Sequence, residues 1–578
     1  MGTISDKLIR IINTKEDIRQ ALISKGYDVP TSIPFKEYAK MILDLPCNAD
    51  SFPDIEGIVA RYSASGITNE QMAANPVWVD KTGNGRDLQL KNFSWKGMSG
   101  VGGYVGDFSK WVNNRDTTEI GITKSNSKVI IDVKVSQGSG KNIVFISKSN
   151  LGISNNVTIK ITSTYPEGVM KFANSASNKY LKLPSNGIIT LQDNPEYTSN
   201  EMHLHLASAD LGQITIEQLP LYPGALVFDG VDDYGTCDNF PILTKEKGYT
   251  VVALRQWDQD FLNTTLTGGL LSTRNYSTGE GVAFEKIESS NKGYWNLGAG
   301  GIIDFAKSPF TWQTSKQYNN VGILKGDKNH GKPLCVGCGL SGGQQCGRFA
   351  IWELVFLDHD ATEEELTKIK DYFVKTYPWL FFDQAWTVTG KTNEDEDRAT
   401  IANITGNGNN LVLSNFGFIE GSGYNEEGEY AGYLVTDGVD DKIISSIFKM
   451  GNDWTVIGDW ELINTGKNDN AGIVKFDSIV IYNYNSVLIN IKNGRNILIP
   501  DQNTVNAICS DGRIYSKDWK ESIYNEETES TSKNFLTIGY SGNAYTKIAF
   551  KNLAIYPTVL SREDCIKAYN YLQTLKAK

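Results

Sequence analysis

The residues best equipped for chemistry in this chain are Cys335 and Cys338, with Cys346 and His330 close by in sequence. Thiolate and imidazole donors at such spacing suit zinc, which takes four of them in a tetrahedron. A second set is acidic. Asp229, Asp232 and Asp233 lie in Asp-Gly-Val-Asp-Asp, and the same five residues return at 437–441. Carboxylates converging in a tight turn are calcium chemistry, with Asp232, Asp233, Asp440 and Asp441 as candidate ligands, but calcium takes six or more oxygens. Asp and Gly also build a turn with no ion, through side-chain hydrogen bonds and permissive backbone, and that reading is preferred. His203 and His205 alternate along a strand-like run and so share a face. Two imidazoles do not complete a metal site, and solvent-facing positions opposite Met202, Leu204 and Leu206 explain them. Glu394–Asp397 is an acidic run in a turn-like setting, read as a solvated loop. Trp95, Trp111, Tyr276, Trp295 and Tyr424 fall in Gly-, Ser- and Asn-rich stretches. Such rings stack on sugars or anchor protein contacts, and they equally fill cores and rims, the reading preferred here. No Ser-His-Asp order, phosphate-binding loop or dinucleotide fingerprint stands out. The residues therefore assign no catalytic group, no cofactor and no metal ligand, with calcium as the one candidate ion.

The elements that must carry these residues occur twice. Thr82–Phe93 and Thr405–Phe416 are identical at eight of twelve positions. The two Asp-Gly-Val-Asp-Asp segments follow, and then Phe349-Ala350-Ile351 before an acidic helix over 362–376, matched by Ile548-Ala549-Phe550 before a helix over 561–575. Three pairs in one order imply two copies of one unit. The repeat also bears on zinc: Leu334–Cys338 aligns with Leu536–Tyr540, which makes the cysteines ordinary strand residues. Between Phe416 and the strand before Asp437 the second copy needs only a short link, whereas the first holds about a hundred more residues. Val129–Val135, Val157–Ile161 and Ile214–Leu219 alternate like strands there, so 103–221 reads as an inserted β-sandwich. Residues 1–47 differ in kind. Thr14 with Asp17 resembles a capping box, Ile18, Leu22 and Ile23 keep helical spacing, and Pro34 opens a second helix ended by Pro46. Two short helices bury little alone and need a partner surface.

The chain has 578 residues, 40% hydrophobic, with 11% aromatics and 55 Gly, a mixture that suits several turn-rich β domains. Net charge is −11 with both signs interspersed, which lacks the basic stripe of a nucleic-acid binder. Seven cysteines in so long a chain imply no disulfide framework and synthesis in a reducing compartment. Neither a signal peptide nor a run of about eighteen apolar residues is present, so neither secretion nor a membrane partner is expected.

A strand, Asp-Gly-Val-Asp-Asp, then Ile538–Gly542, Ala554–Pro557 and an acidic helix together resemble a concanavalin A-like (laminin-G-like) jelly roll. The fold class expected is mainly β: a helical N-terminal docking unit over 1–47, a first jelly roll over 54–102 and 222–378, an inserted sandwich over 103–221, and a second jelly roll over 383–578. The helical start, Ile214–Leu219 and the following Tyr222–Leu226 also resemble virion proteins of tailed phages of gut bacteria, including the crAss-like group. That resemblance implies a fibre, appendage or decoration subunit of a virion, made in the host cytoplasm. It would be a dimer or trimer, docked on other virion proteins through 1–47, and would adhere to host or mucosal glycans. The alternatives are a purely structural virion component and, behind both, a capsule depolymerase or glycosidase. Glycosidases of this fold carry Glu-x-Asp-x-x-Glu on one strand and need two carboxylates across a cleft. No such strand is found, so no enzyme is expected.

Overall fold

Short runs of β-branched and aromatic residues separated by Gly, Asn and Asp specify strands and turns rather than helices. The computed structural model describes residues 15, 52–105, 107–113, 120–134, 139–148, 157–165, 170–173, 180–182, 186–191, 201–208, 211–243, 249–258, 261, 264–273, 283–286, 292–295, 302–304, 334–340, 344–405, 408–426, 430–446, 448, 451–463, 472–476, 479–483, 487–491, 495–499, 505–516, 519–523, 536–541 and 544–577. The protein is mainly β, with several sheets and few helices. No helix among the described residues is long and apolar enough to cross a membrane.

The chain divides into two compact units, 1–56 with 363–376, and 57–362 with 377–578. In the first, the helix Glu363–Thr376 has three acids in its first turn and Lys375 in its last, which complements the helix dipole. Lys368 pairs with Glu364 at 2.8 Å, and Phe52 meets Tyr372 edge-on at 5.0 Å. Apart from Lys15, which is helical, the helices expected in 1–47 lie outside the described residues.

The second unit contains two pairs of sheets with the same strand order. In one sheet, Ile58–Ser63, Arg348–Leu357, Leu226–Asp229 and Gly100–Val101 lie side by side, and Thr250–Trp257 also pairs with Arg348–Leu357. The counterpart runs Gln384–Thr387, Ile548–Tyr556, Tyr433–Val435, Gly423–Asn425, with Thr455–Leu462 on Ile548–Tyr556. The facing sheets agree as closely. Val77–Trp78, Leu88–Lys91, Tyr234–Cys237, Leu334–Val336, Gly268–Ser272 and Ala283–Lys286 match Thr400–Ile401, Leu411–Ser414, Lys442–Ser445, Thr537–Ile538, Gly472–Phe476 and Ile479–Asn483. Each pair encloses its own core, one around Trp78, Phe228, Trp257 and Phe356, the other around Trp386, Trp454, Trp460 and Phe550. Two further five-stranded sheets lie between 111 and 218. In one of them Val129, Ile131, Val133, Ile159, Ile161, Ile214 and Ile216 are all buried, the alternation expected of strands with one face in a core.

Both long central strands carry a bulge at the same place. The register skips between Leu254 and Arg255 opposite Trp352, and between Asp459 and Trp460 opposite Lys551. A bulge re-aims the extra side chain. Trp352 is buried, donates to the Pro223 carbonyl at 2.8 Å, and meets Tyr571 edge-on at 6.0 Å. Tyr571 belongs to the helix Arg562–Leu572, capped at Ser561. This helix ends three residues before the Leu575 that the sequence spacing suggests, and a turn follows Leu572. One buried cluster takes Val227, Ala350 and Trp352 from the first copy, Ala385, Ile457 and Ala554 from the second, and Leu572 from the helix. The two copies therefore share a core.

Candidate functional site

The repeated acidic segment connects one sheet to the other in each copy, between Leu226–Asp229 and Tyr234–Cys237, and between Tyr433–Val435 and Lys442–Ser445. Asp229 Oδ1 accepts from the Val231 N–H at 2.8 Å, and Asp437 Oδ1 from the Val439 N–H at 2.7 Å. Gly230 and Gly438 have φ of 77° and 76°, as the turn requires. The last Asp is fully buried in both. Asp233 accepts from the Asp229 N–H at 3.0 Å with one oxygen and from the Ser99 hydroxyl at 3.0 Å with the other. Asp441 accepts from the Asp437 N–H at 2.8 Å. Burial, with a smaller push from Asp229, raises the Asp233 pKa to about 7. Burial likewise raises Asp441 to about 6.

These carboxylates tie the turn to a neighbouring loop. Asn92 donates to the Asp232 carbonyl at 3.1 Å and Asn415 to the Asp440 carbonyl at 3.0 Å. Three residues beyond each Asn stands an aromatic in left-handed backbone, Trp95 at φ 54° and Phe418 at φ 51°. Both are half-buried. Each loop closes with a small bridge, Lys96 to Ser99 and Ile419 to Ser422. Trp95 stacks on Phe93 at 4.8 Å with 16° between planes. Phe418 stacks near Tyr424 at 6.4 Å and lies 5.0 Å from the Arg398 guanidinium.

In each copy the three Asp place one carboxylate oxygen apiece within 4.8 Å of one another. Both Asp233 oxygens and Asp229 Oδ1 already accept from N–H or O–H groups. Those hydrogen bonds are the ones an ion-free Asp-Gly turn uses, and three carboxylates alone supply fewer than the six or more oxygens that calcium takes. The geometry fits the turn.

The cysteine set is arranged otherwise than the sequence suggests. Cys338 and Cys346 are register partners on adjacent strands and form a disulfide, with Cα atoms 4.0 Å apart. The cysteine count implied no disulfide framework and did not point to this single pair: the Leu340–Gln344 hairpin pairing brings the two thiols together, a proximity that linear spacing does not reveal. A disulfide removes both from zinc chemistry. Cys335 is a buried thiol whose pKa burial pushes up to about 12, and His330 lies outside the described residues. His203 and His205 stand two apart on Glu201–Ser208, in register with Ala173 and Lys171. In the run 394–397, Asp395 accepts from the Thr392 N–H and hydroxyl, each at 3.0 Å, which holds its carboxyl below the usual range. Lys391 pairs with Asp397. These are turn contacts. Of the aromatics, Tyr424 is buried and donates to the Arg398 carbonyl at 2.7 Å. Trp111 and Trp295 lie in strands, and Tyr276 is outside the described residues. Sequence reasoning missed Phe418, although its distance from Asn415 in the repeat was the signal.

No protein-family model and no curated protein matches the chain. Several solved structures of β-rich receptor-binding or sialidase proteins show a distant likeness. The HCR/D F1240A mutant is 10% identical, over 57% of this chain and 83% of its own, with a TM-score of 0.23. Trypanosoma rangeli sialidase in complex with sialic acid is 9% identical, over 79% and 85%, at 0.22. The botulinum neurotoxin serotype D binding domain is 13% identical, over 60% and 89%, at 0.21. Likeness at that level specifies neither a common fold nor a common ligand.

Proposed function

We propose that this chain is a non-enzymatic virion subunit, a fibre, appendage or decoration protein of a tailed phage. In this reading its two sheet pairs are concanavalin A-like jelly rolls that adhere to host or mucosal glycans. Residues 1–47 dock it on other virion proteins, and it acts as a dimer or trimer. The supporting observation is the loop pair at the acidic turn. It presents a half-buried aromatic in strained left-handed backbone, held by an Asn, a buried Asp and a bridge. A bulky side chain persists at positive φ only where its surroundings over-determine it. A ring fixed in this way loses little entropy on meeting a sugar face. Many chains on one particle convert weak contacts into avidity.

Two experiments test this. The full chain, biotinylated and tetramerised on streptavidin, is applied to a glycan array and to host cells; absence of binding on both overturns the adhesion reading. Immunogold labelling of phage particles with antibody to the chain tests the virion assignment, and unlabelled particles overturn it. The core shared between the copies favours a second reading, a rigid joint that binds only virion proteins. A particle reconstruction with both sheet pairs buried against neighbouring subunits would support the joint over the adhesin.

A further inference from the structure

The two aromatic loops are equivalent in backbone but not in surroundings. The Leu90 N–H donates to the Pro76 carbonyl at 2.8 Å, and the Leu413 N–H donates to the Ala399 carbonyl at 2.9 Å. The residue before Pro76, Asn75, therefore stands where Arg398 stands in the second copy. Gly100 and Gly423 agree in the same way: an added Cβ would lie 3.1 Å from Trp95 Cα in one and 2.8 Å from Phe418 Cα in the other. Beyond these glycines, Val101 occupies the position of Tyr424, since both backbone N–H groups donate to an Asn side chain, Asn69 and Asn393.

Both rings are half-buried and each packs against the core of its own copy, and they differ in what else lies on them. In the second copy, Phe418 has the Arg398 guanidinium at 5.0 Å and the Tyr424 ring stacked near it. A cation over a ring and a ring beside it take up the surface a ligand would use. In the first copy, Arg398 is replaced by an exposed Asn, Tyr424 by Val, and Phe by the larger Trp. Phe93 is the one ring stacked on Trp95, and no cation lies over it among the described residues. The adjoining turn carries Asp232, exposed and pinned through its carbonyl by Asn92. An indole face takes the apolar C–H face of a pyranose, and a neighbouring carboxylate accepts from its hydroxyls.

We infer that Trp95 with Asp232 forms a glycan-contacting subsite of the first copy, for a neutral or amino-substituted pyranose, and that Arg398 closes the matching site of the second. The inference rests on the adhesion reading above. It locates the contact on one loop and makes the chain monovalent at this position.

The test uses the tetramerised full chain and the glycans that the wild-type protein retains on the array. Trp95→Ala is expected to lose about tenfold or more in apparent affinity, as central aromatic anchors do. Phe418→Ala is expected to stay within about twofold of wild type, a difference worth under half a kcal/mol. Asn75→Arg changes an exposed residue and supplies the missing guanidinium; it should weaken binding while leaving the melting temperature in place. That variant decides the matter should Trp95→Ala fail to fold. If wild type binds no glycan, the adhesion reading falls and this subsite with it. If wild type binds and both Trp95→Ala and Asn75→Arg bind equally well, adhesion stands and the subsite is refuted. Equal losses in Trp95→Ala and Phe418→Ala refute the closure of the second copy.

Discussion

Neutralising Asp233 and Asp441 should make the protein less sensitive to alkaline pH, and the structure fixes the sign. Both carboxylates are fully buried, and burial raises them from an ordinary 3.8 to about 7 and about 6. Between pH 3.8 and these values the unfolded chain releases its protons while the folded chain keeps them. Stability therefore falls as pH rises through that window and levels off above it. At 1.36 kcal/mol per unit, the loss is of the order of 4 kcal/mol for Asp233 and less for Asp441, whose shift is smaller. Asn mimics the protonated acid: its oxygen can accept from the Asp229 N–H and its amide can donate to Ser99 Oγ. Asp233→Asn is thus expected to match wild type at about pH 4 and to exceed it by several kcal/mol at about pH 8, with Asp441→Asn adding a smaller gain. Urea unfolding across that range measures this directly. Parallel pH profiles for wild type and the double variant would refute the claim that these buried acids hold protons in the folded protein.

If the acidic segments are turns, millimolar calcium will leave the melting temperature unchanged, whereas a true site would raise it in proportion to RT ln(1 + [L]/Kd). Trp352→Ala should cost about 3–5 kcal/mol from the lost packing. Because Tyr571 and the shared cluster lie on its other side, hydrogen exchange should rise in Ile548–Tyr556 as well as in Arg348–Leu357. Faster exchange confined to the first copy would show that the two cores are independent. Alkylation of the denatured chain without reductant should label Cys237, Cys335, Cys509 and Cys565 and spare Cys338 and Cys346, and mass spectrometry of the 338–346 peptide checks the pairing.

The mainly β character and the repetition were legible because local chemistry carried them. Asp-Gly-Val-Asp-Asp specifies its turn almost unaided: the first Asp caps the N–H groups, Gly takes positive φ, and the last Asp enters the core. The alternation in Lys128–Val133 likewise announced a strand with one buried face. What failed to show depends on residues far apart in sequence. Cys338 and Cys346 meet only because a hairpin sets their register. Arg398 reaches the Phe418 ring across nineteen intervening residues, and no periodicity encodes such a contact. The bulge opposite Leu254 and Arg255 leaves no mark in Trp352 itself, since a buried Trp reads the same in a regular strand.

Divergence between the copies is concentrated where backbone equivalence is strictest. The bulge that delivers Trp352 to an apolar contact with Tyr571 delivers Lys551 in the second copy, and there the same geometry must satisfy a charge. Burial lowers the Lys551 pKa, and Asp459 opposes that shift. Asp459 in turn accepts from the Tyr433 hydroxyl at 3.0 Å and from Gln573 at 3.1 Å, while the Lys551 ammonium lies 5.5 Å from the Tyr433 ring. One position later, Glu353 accepts from Arg61 Nε and Nη2 at 3.2 Å each and from the Tyr377 hydroxyl at 2.8 Å, whereas its counterpart Asn552 donates to the Leu572 carbonyl at 3.5 Å. Turn, strand order and bulge are reused because they are set by hydrogen bonds that any fitting side chain leaves intact. The side chains they present are free to differ. The aromatic loops obey the same rule, one frame holding Trp95 on Phe93 in the first copy and an arginine-capped Phe418 in the second.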